Sequence, residues 1–280
     1  MYILTQVMRD SFINGLHQGY AKKLPKKIIK NCSDIAFGAK ELYLSGTPFN
    51  NRGNDIQIRM KDKSALVSVL NPIVEKFYAY FNETPAPSTQ HDFDKVHKEL
   101  CELFIESFEA EGYTHTYGNA QKFCNVLFKY LSCYEDSEDF AEWFKYCHMA
   151  IDRYTYNGYR LPFYRNIVYR AIHGKSAPKL TSWSKLTNDD ENDYEYDSII
   201  SDIVEYISNN PKTYNEYLNI CSIFPIFTSI SPLATEDNYE LTPFEAEFFI
   251  WAIAKACASK DKNEKYIYEI DTIDRVKNLL

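Results

Sequence analysis

Lys122 and Asp152 stand out by what surrounds them. In YGNAQKFCNVLFKYLSC, residues 117–133, a glycine and a small alanine precede Lys122 and an apolar-striped helix comes after it. Gly118, Asn119, Ala120 and Gln121 form a tight turn that feeds the helix N-terminus. Such a turn exposes backbone N–H groups and the positive end of the helix dipole, an arrangement that grips phosphate. A lysine beside that potential loses its proton more cheaply, and partial burial adds to the effect. Only the deprotonated amine attacks carbon, so Lys122 is a candidate nucleophile. Thirty positions on, CHMAIDRYTYNGYR places Asp152 at the mouth of an aromatic, arginine-rich run. A carboxylate there can take a proton from an amine and stabilise a developing cation. The plain alternatives are a surface lysine and an aspartate that caps the next segment.

The segment after Asp152 points to phosphate. Up to Asp189 there is no acidic residue, while Arg153, Arg160, Arg165, Arg170, Lys175, Lys179 and Lys185 contribute a formal +7 to a chain of net charge −8. Tyr154, Tyr156, Tyr159, Phe163, Tyr164, Tyr169 and Trp183 are interleaved with them. Cations that neutralise phosphates, mixed with rings that stack on bases, suit a nucleic-acid groove. The acidic total excludes a protein that coats nucleic acid with its whole surface. A second basic run, KKLPKKIIK at 22–30, reads as a solvated helix face.

The elements that must position these residues are helices. The spacing of Leu66, Val69, Leu70, Ile73, Val74 and Phe77 predicts a helix over 64–82, and ETPAPST breaks it. Phe93, Val96, Leu100, Leu103, Phe104 and Phe108 stripe the next helix, which Gly112 ends. Further helices are expected at about 120–134, 162–173, 197–208 and 213–221, with a short one in EDSEDFAEWFKYC. The last opens with Thr242 as N-cap, Pro243 at N1 and Glu245 at N3, a capping box. One short strand, DIQIRM at 55–60, alternates. The expected fold is all-α, a single bilobal domain of two helical lobes with a cleft. Residues 113–175 carry the hairpin-like turn and both reactive groups; 176–240 are an insertion with an acidic loop at 187–197.

At 280 residues, 45% hydrophobic and 25% charged, the chain reads as a soluble globular protein. Its seven cysteines lack any CxxC and read as buried thiols of a reducing cytoplasm. Six histidines form no pair at ligand spacing, so no metal and no cofactor are expected. His148 reads as a satisfied core histidine. No secretory leader and no apolar run of spanning length are visible, which predicts no membrane.

Gly118-Asn119-Ala120-Gln121-Lys122-Phe123-Cys124-Asn125-Val126 resembles the G-V-G-R-K-T-A-N-V of the helix-hairpin-helix DNA glycosylases, the endonuclease III superfamily. HMAID, His148 to Asp152, resembles that family's V-P-V-D. Ala120 stands for the second hairpin glycine and Ala150 for the proline. The thirty-residue interval resembles that of the archaeal 8-oxoguanine DNA glycosylases. The resemblance covers roughly residues 90–175. It implies Lys122 as the Schiff-base lysine, Asp152 as the catalytic aspartate and Gly118–Gln121 as the DNA-gripping hairpin. In the archaeal branch an acid and a tryptophan one turn apart hold the flipped base, which implies Glu247 and Trp251 as the base pocket. The expected function is a DNA glycosylase with lyase activity, a monomer acting on double-stranded DNA with Arg153, Arg160 and Arg165 on the backbone. The other classes are a non-catalytic DNA-binding module and a helical protein-interaction scaffold.

Overall fold

A computed structural model describes residues 29–45, 63–134, 136–156, 161, 163–177, 182–188, 196–224, 238–258 and 270–280. The expected strand at 55–60, residues 22–28 of the basic run, residues 189–195 of the acidic stretch, and Tyr159 and Arg160 lie outside them. Among the described residues every named element is helical, apart from an isolated antiparallel bridge between Thr213 and Glu240. None of these helices is long and apolar enough to cross a membrane. The chain divides into two compact units, Met1–Cys147 with Ser184–Thr187, and His148–Trp183 with Asn188–Leu280.

The first unit contains α1 (Cys32–Ser45), α2 (Lys63–Asn82), α3 (Gln90–Glu109), α4 (Tyr117–Leu131), a 3-10 turn Ser137–Phe140 and the single-turn α5 (Ala141–Phe144). Helix α1 packs on α2 and α4, and α3 packs on both α2 and α4. All six stripe residues expected on α2 are buried. On α3 the buried face is Phe93, His97, Leu100, Cys101, Phe104 and Phe108. His97 and Cys101 thus join the buried face, where the expected Val96 and Leu103 are half-buried. Phe128 of α4 is the hub of the core, with ring centroids of Phe77, Phe93 and Tyr80 at 4.8, 5.5 and 5.6 Å. Close approach of α1 to α4 depends on Gly38, where a Cβ would lie 3.0 Å from Tyr134 Oη. Lys30, the end of the basic run, is paired with Asp139 at 3.1 Å.

The second unit begins with a turn at 152–156 and a π-helical stretch Phe163–Val168 that runs into α6 (Tyr169–His173). After it come α7 (Tyr196–Asn209), α8 (Tyr214–Cys221), α9 (Pro243–Ala258) and α10 (Ile270–Leu279). Helix α7 packs on α6, on the π-helical stretch and on α9, and α9 packs on α8. Tyr217 stacks on Phe249 at 5.5 Å. Two expected terminators hold: Gly112 and Gly174 have φ of 80° and 64°. Gly174 ends α6 in the left-handed conformation, its N–H bonded to the Arg170 carbonyl. Among the described residues no heavy atom lies within 4 Å of a Cβ added at Gly174, so Gly174→Ala tests chiefly the backbone. It is expected to lower stability by about 1–2 kcal/mol in urea denaturation.

Candidate functional site

The expected phosphate turn is the first turn of a helix. Helix α4 starts at Tyr117, three residues before its expected start, because Thr116 is its N-cap. Thr116 Oγ1 accepts the Asn119 N–H at 3.2 Å, and Asn119 Oδ1 returns toward the Thr116 N–H, a reciprocal capping box. The Gly118 N–H donates to the Leu186 carbonyl at 3.1 Å, and the Thr116 hydroxyl to the Ser184 carbonyl at 2.6 Å. The N–H groups of Gly118 and Asn119, which a phosphate cradle would use, are engaged within the unit. Gly118, Ala120 and Gln121 are buried, and Asn119 is half-buried. Gln121 Nε2 donates to the Gly118 carbonyl at 2.9 Å, and Asn125 Nδ2 donates to Gln121 Oε1 at 3.2 Å. Of the residues of α4, only Asn119 and Lys122 escape burial. Lys122 is half-buried on the second helical turn.

Asp152 belongs to the second unit and is 3% exposed. Its Oδ1 accepts the Tyr154 N–H at 2.7 Å and the Thr155 N–H at 3.2 Å. Thr155 Oγ1 in turn accepts the Asp152 N–H at 3.0 Å. The other oxygen, Oδ2, accepts the indole N–H of Trp251 at 3.0 Å. Asp152 is thus the capping aspartate of its turn, and it is also joined to the ring expected in the base pocket. His148 is buried with Nδ1 2.9 Å from Tyr196 Oη, a satisfied core histidine as expected.

Around Trp251 lies a cluster of rings and cations. The Tyr154 ring meets the indole edge-on at 5.5 Å, Lys255 Nζ is 4.9 Å from the indole centroid, and the Arg153 guanidinium carbon is 4.6 Å from the Tyr154 centroid. Helix α9 is otherwise almost wholly buried, with Trp251 and Lys255 forming a half-exposed strip one turn long. Glu247, one turn before Trp251, is buried. Tyr154 is one of the rings expected to stack, whereas Lys255 was not anticipated, although its i, i+4 spacing from Trp251 is visible in the sequence. The other described rings of the basic run, Tyr156, Phe163, Tyr164, Tyr169 and Trp183, are buried. They are core residues, which leaves Tyr154 as the half-exposed ring of the run among the described residues. Arg165 is exposed on the π-helical stretch. No cluster of His, Cys, Asp or Glu among the described residues could hold a metal ion.

The strip is held by the capping box expected at the start of α9. Glu245 Oε2 accepts the Thr242 N–H at 2.9 Å and its hydroxyl at 3.0 Å, while Oε1 accepts the Tyr239 hydroxyl. Burial pushes the Glu245 carboxyl up to about 7, against the opposing pull of those hydrogen bonds. The folded state then holds a proton that the unfolded state has lost. That stabilisation is complete below about 4.5, the ordinary value, and is lost as pH rises through about 7. Thermal melting of Glu245→Gln should lack this downward slope between the two pH values, while the unsubstituted protein shows it. Trp251→Phe keeps a ring but removes the indole N–H that donates to Asp152 Oδ2. A loss of about 1–3 kcal/mol in chemical denaturation is expected.

Compared with known proteins, the chain matches no family model, no curated protein and no solved structure.

Proposed function

We propose that the protein acts on DNA, holding an unstacked nucleotide against Trp251, and that it releases the base as a glycosylase with associated lyase activity. The observation that carries this reading is the 3.0 Å hydrogen bond from Trp251 to Asp152. The two residues, 99 positions apart, are the aspartate and the base-stacking ring that the resemblance implies, and this hydrogen bond joins them. Magnitudes favour a nucleotide at the indole. The Lys255 contact it must displace is an exposed cation–π pair worth about 0.5–1 kcal/mol. A base stacked on an aromatic side chain is worth about 1–3 kcal/mol. Arg153, against the Tyr154 ring beside the indole, is the cation offered to the phosphates of that nucleotide. A glycosidic bond inside a duplex is out of reach, so the nucleotide is swung out.

The covalent step is assigned by the resemblance. Lys122 bonds to C1′ as the C1′–N glycosidic bond breaks, and the base leaves with the electron pair and takes a proton. The C1′–O4′ bond then breaks, O4′ takes the remaining proton of the amine, and the opened sugar becomes an imine; loss of a C2′ proton expels the 3′ phosphate by elimination. Asp152, a carboxylate with fixed orientation, stabilises the cationic sugar. An oxidised purine of the 8-oxoguanine kind is the base the resemblance favours. One observation favours a second reading, a non-catalytic DNA-binding module: both oxygens of Asp152 are already used within its own unit.

Borohydride trapping separates the two. The glycosylase reading expects a covalent adduct of the unsubstituted protein on duplex containing 8-oxoguanine. It expects none from Lys122→Gln, which still binds the same duplex in a gel-shift assay. Binding with no adduct and no nicking over a panel of lesions leaves only the module.

A further inference from the structure

In the second unit Tyr164, Asp202 and His173 meet in a cluster that the proposed activity does not use. Asp202 Oδ2 accepts the Tyr164 hydroxyl and the Nε2–H of His173, each at 2.8 Å. The tyrosine comes from the π-helical stretch, the carboxylate from α7, and the histidine is the last residue of α6. The cluster braces α6 against α7. A brace alone needs no opening, yet the His173 side chain is 37% exposed, against 14% for Asp202. The Tyr169 ring packs against the imidazole at 4.2 Å. Among the described residues nothing bonds to Nδ1.

A carboxylate only accepts, so this bond places the imidazole proton on Nε2 and leaves the Nδ1 lone pair to an electrophile. An acid so placed also stabilises the positive charge that the ring gains on attack. The end of α6 favours the same charge, since a helix C-terminus is the negative end of the dipole. Burial, and then the bond to Asp202, raises the Tyr164 hydroxyl, which stays protonated and holds the carboxylate in place. π-Helical turns of this kind recur at functional sites. No hydroxyl or thiol among the described residues bonds to His173, so the ring is itself the attacking group and not a base for another side chain.

What stands beside the ring selects the electrophile. Arg165 on the π-helical stretch and Arg170 on α6 are exposed. Arg170 is three positions before His173 on one helix, a spacing that brings Cβ atoms to roughly 5–6 Å. A guanidinium matches the oxygens of a phosphoryl group in a bidentate way. We infer that His173 is a phosphoryl acceptor, charged on Nδ1 by a small phosphoramidate or acyl phosphate, with Asp202 as its positioning residue. The Nδ1 lone pair bonds to phosphorus while the bond from phosphorus to the leaving group breaks. The leaving group departs with that electron pair, and Nε2 keeps its proton against Asp202. Neither Lys122 nor the Trp251 strip takes part.

Phosphorus NMR and peptide mass spectrometry of the full chain test the inference, with potassium phosphoramidate in one arm and acetyl phosphate in the other. His91, exposed on α3 and joined to no carboxylate among the described residues, is the internal standard. In at least one arm His173 should be phosphorylated on Nδ1, about ten- to a hundredfold faster than His91. The arm that reacts identifies the leaving group, an amine or a carboxylate. Asp202→Asn should bring the two rates together by slowing His173 alone, and His173→Gln should remove the Nδ1 signal. Equal rates at the two histidines of the unsubstituted protein, phosphorus on Nε2 of His173, or a rate ratio that Asp202→Asn leaves unchanged overturns the inference.

Discussion

A buried carboxylate is tolerated only where its oxygens are supplied with donors, and in the second unit Asp152 meets that condition with three N–H groups. Two come from its own turn and the third from the indole on α9. The irregular segment after His148 is thereby tied to a regular helix. From the turn the ties continue inward. The Tyr156 N–H bonds to the Asp152 carbonyl at 2.8 Å, and the Tyr156 ring stacks on Tyr164 at 5.6 Å. Tyr164 then bonds to Asp202, which also holds His173. One continuous set of contacts thus runs from the Trp251 strip to the brace beneath the exposed cations. Both surfaces are outcrops of a single packed network.

The first unit is organised around α4, whose first turn satisfies its own donors through Thr116, Asn119 and the Leu186 carbonyl. A capping box and a phosphate cradle compete for the same backbone N–H groups, and here the cap wins. The polar residues Gln121 and Asn125 are accommodated inside because each has a partner one turn away on the helix. Their hydrogen bonds run along the helix and leave the surrounding rings of α2 and α3 to pack on Phe123 and Phe128.

Most of the helical framework was legible because long apolar stripes and their terminators act locally. The α2 stripe, Gly112, Gly174 and the Thr242–Glu245 box are each decided by residues within a few positions of one another. The start of α4 differs from expectation because glycine after a tyrosine reads as a turn, whereas the deciding residue is Thr116 with Asn119 three places on. The basic run misleads differently. Charge and aromatic content show which residues share a segment, but only packing decides which of them face water. Tyr164 and Tyr169 went inside and Arg165 and Arg170 stayed out. Contact between Asp152 and Trp251 depends on bringing together segments far apart in the chain, and no local signal encodes it. The partnership was legible only as two separate expectations.

Helix α4 has a consequence for how this chain can change over evolutionary time. From Phe123 to Leu131 every residue is buried, so identity at those positions among orthologues would reflect steric constraint. Lys122, just before that stretch, is half-buried. Persistence of an amine there through divergence is what the proposed nucleophile requires.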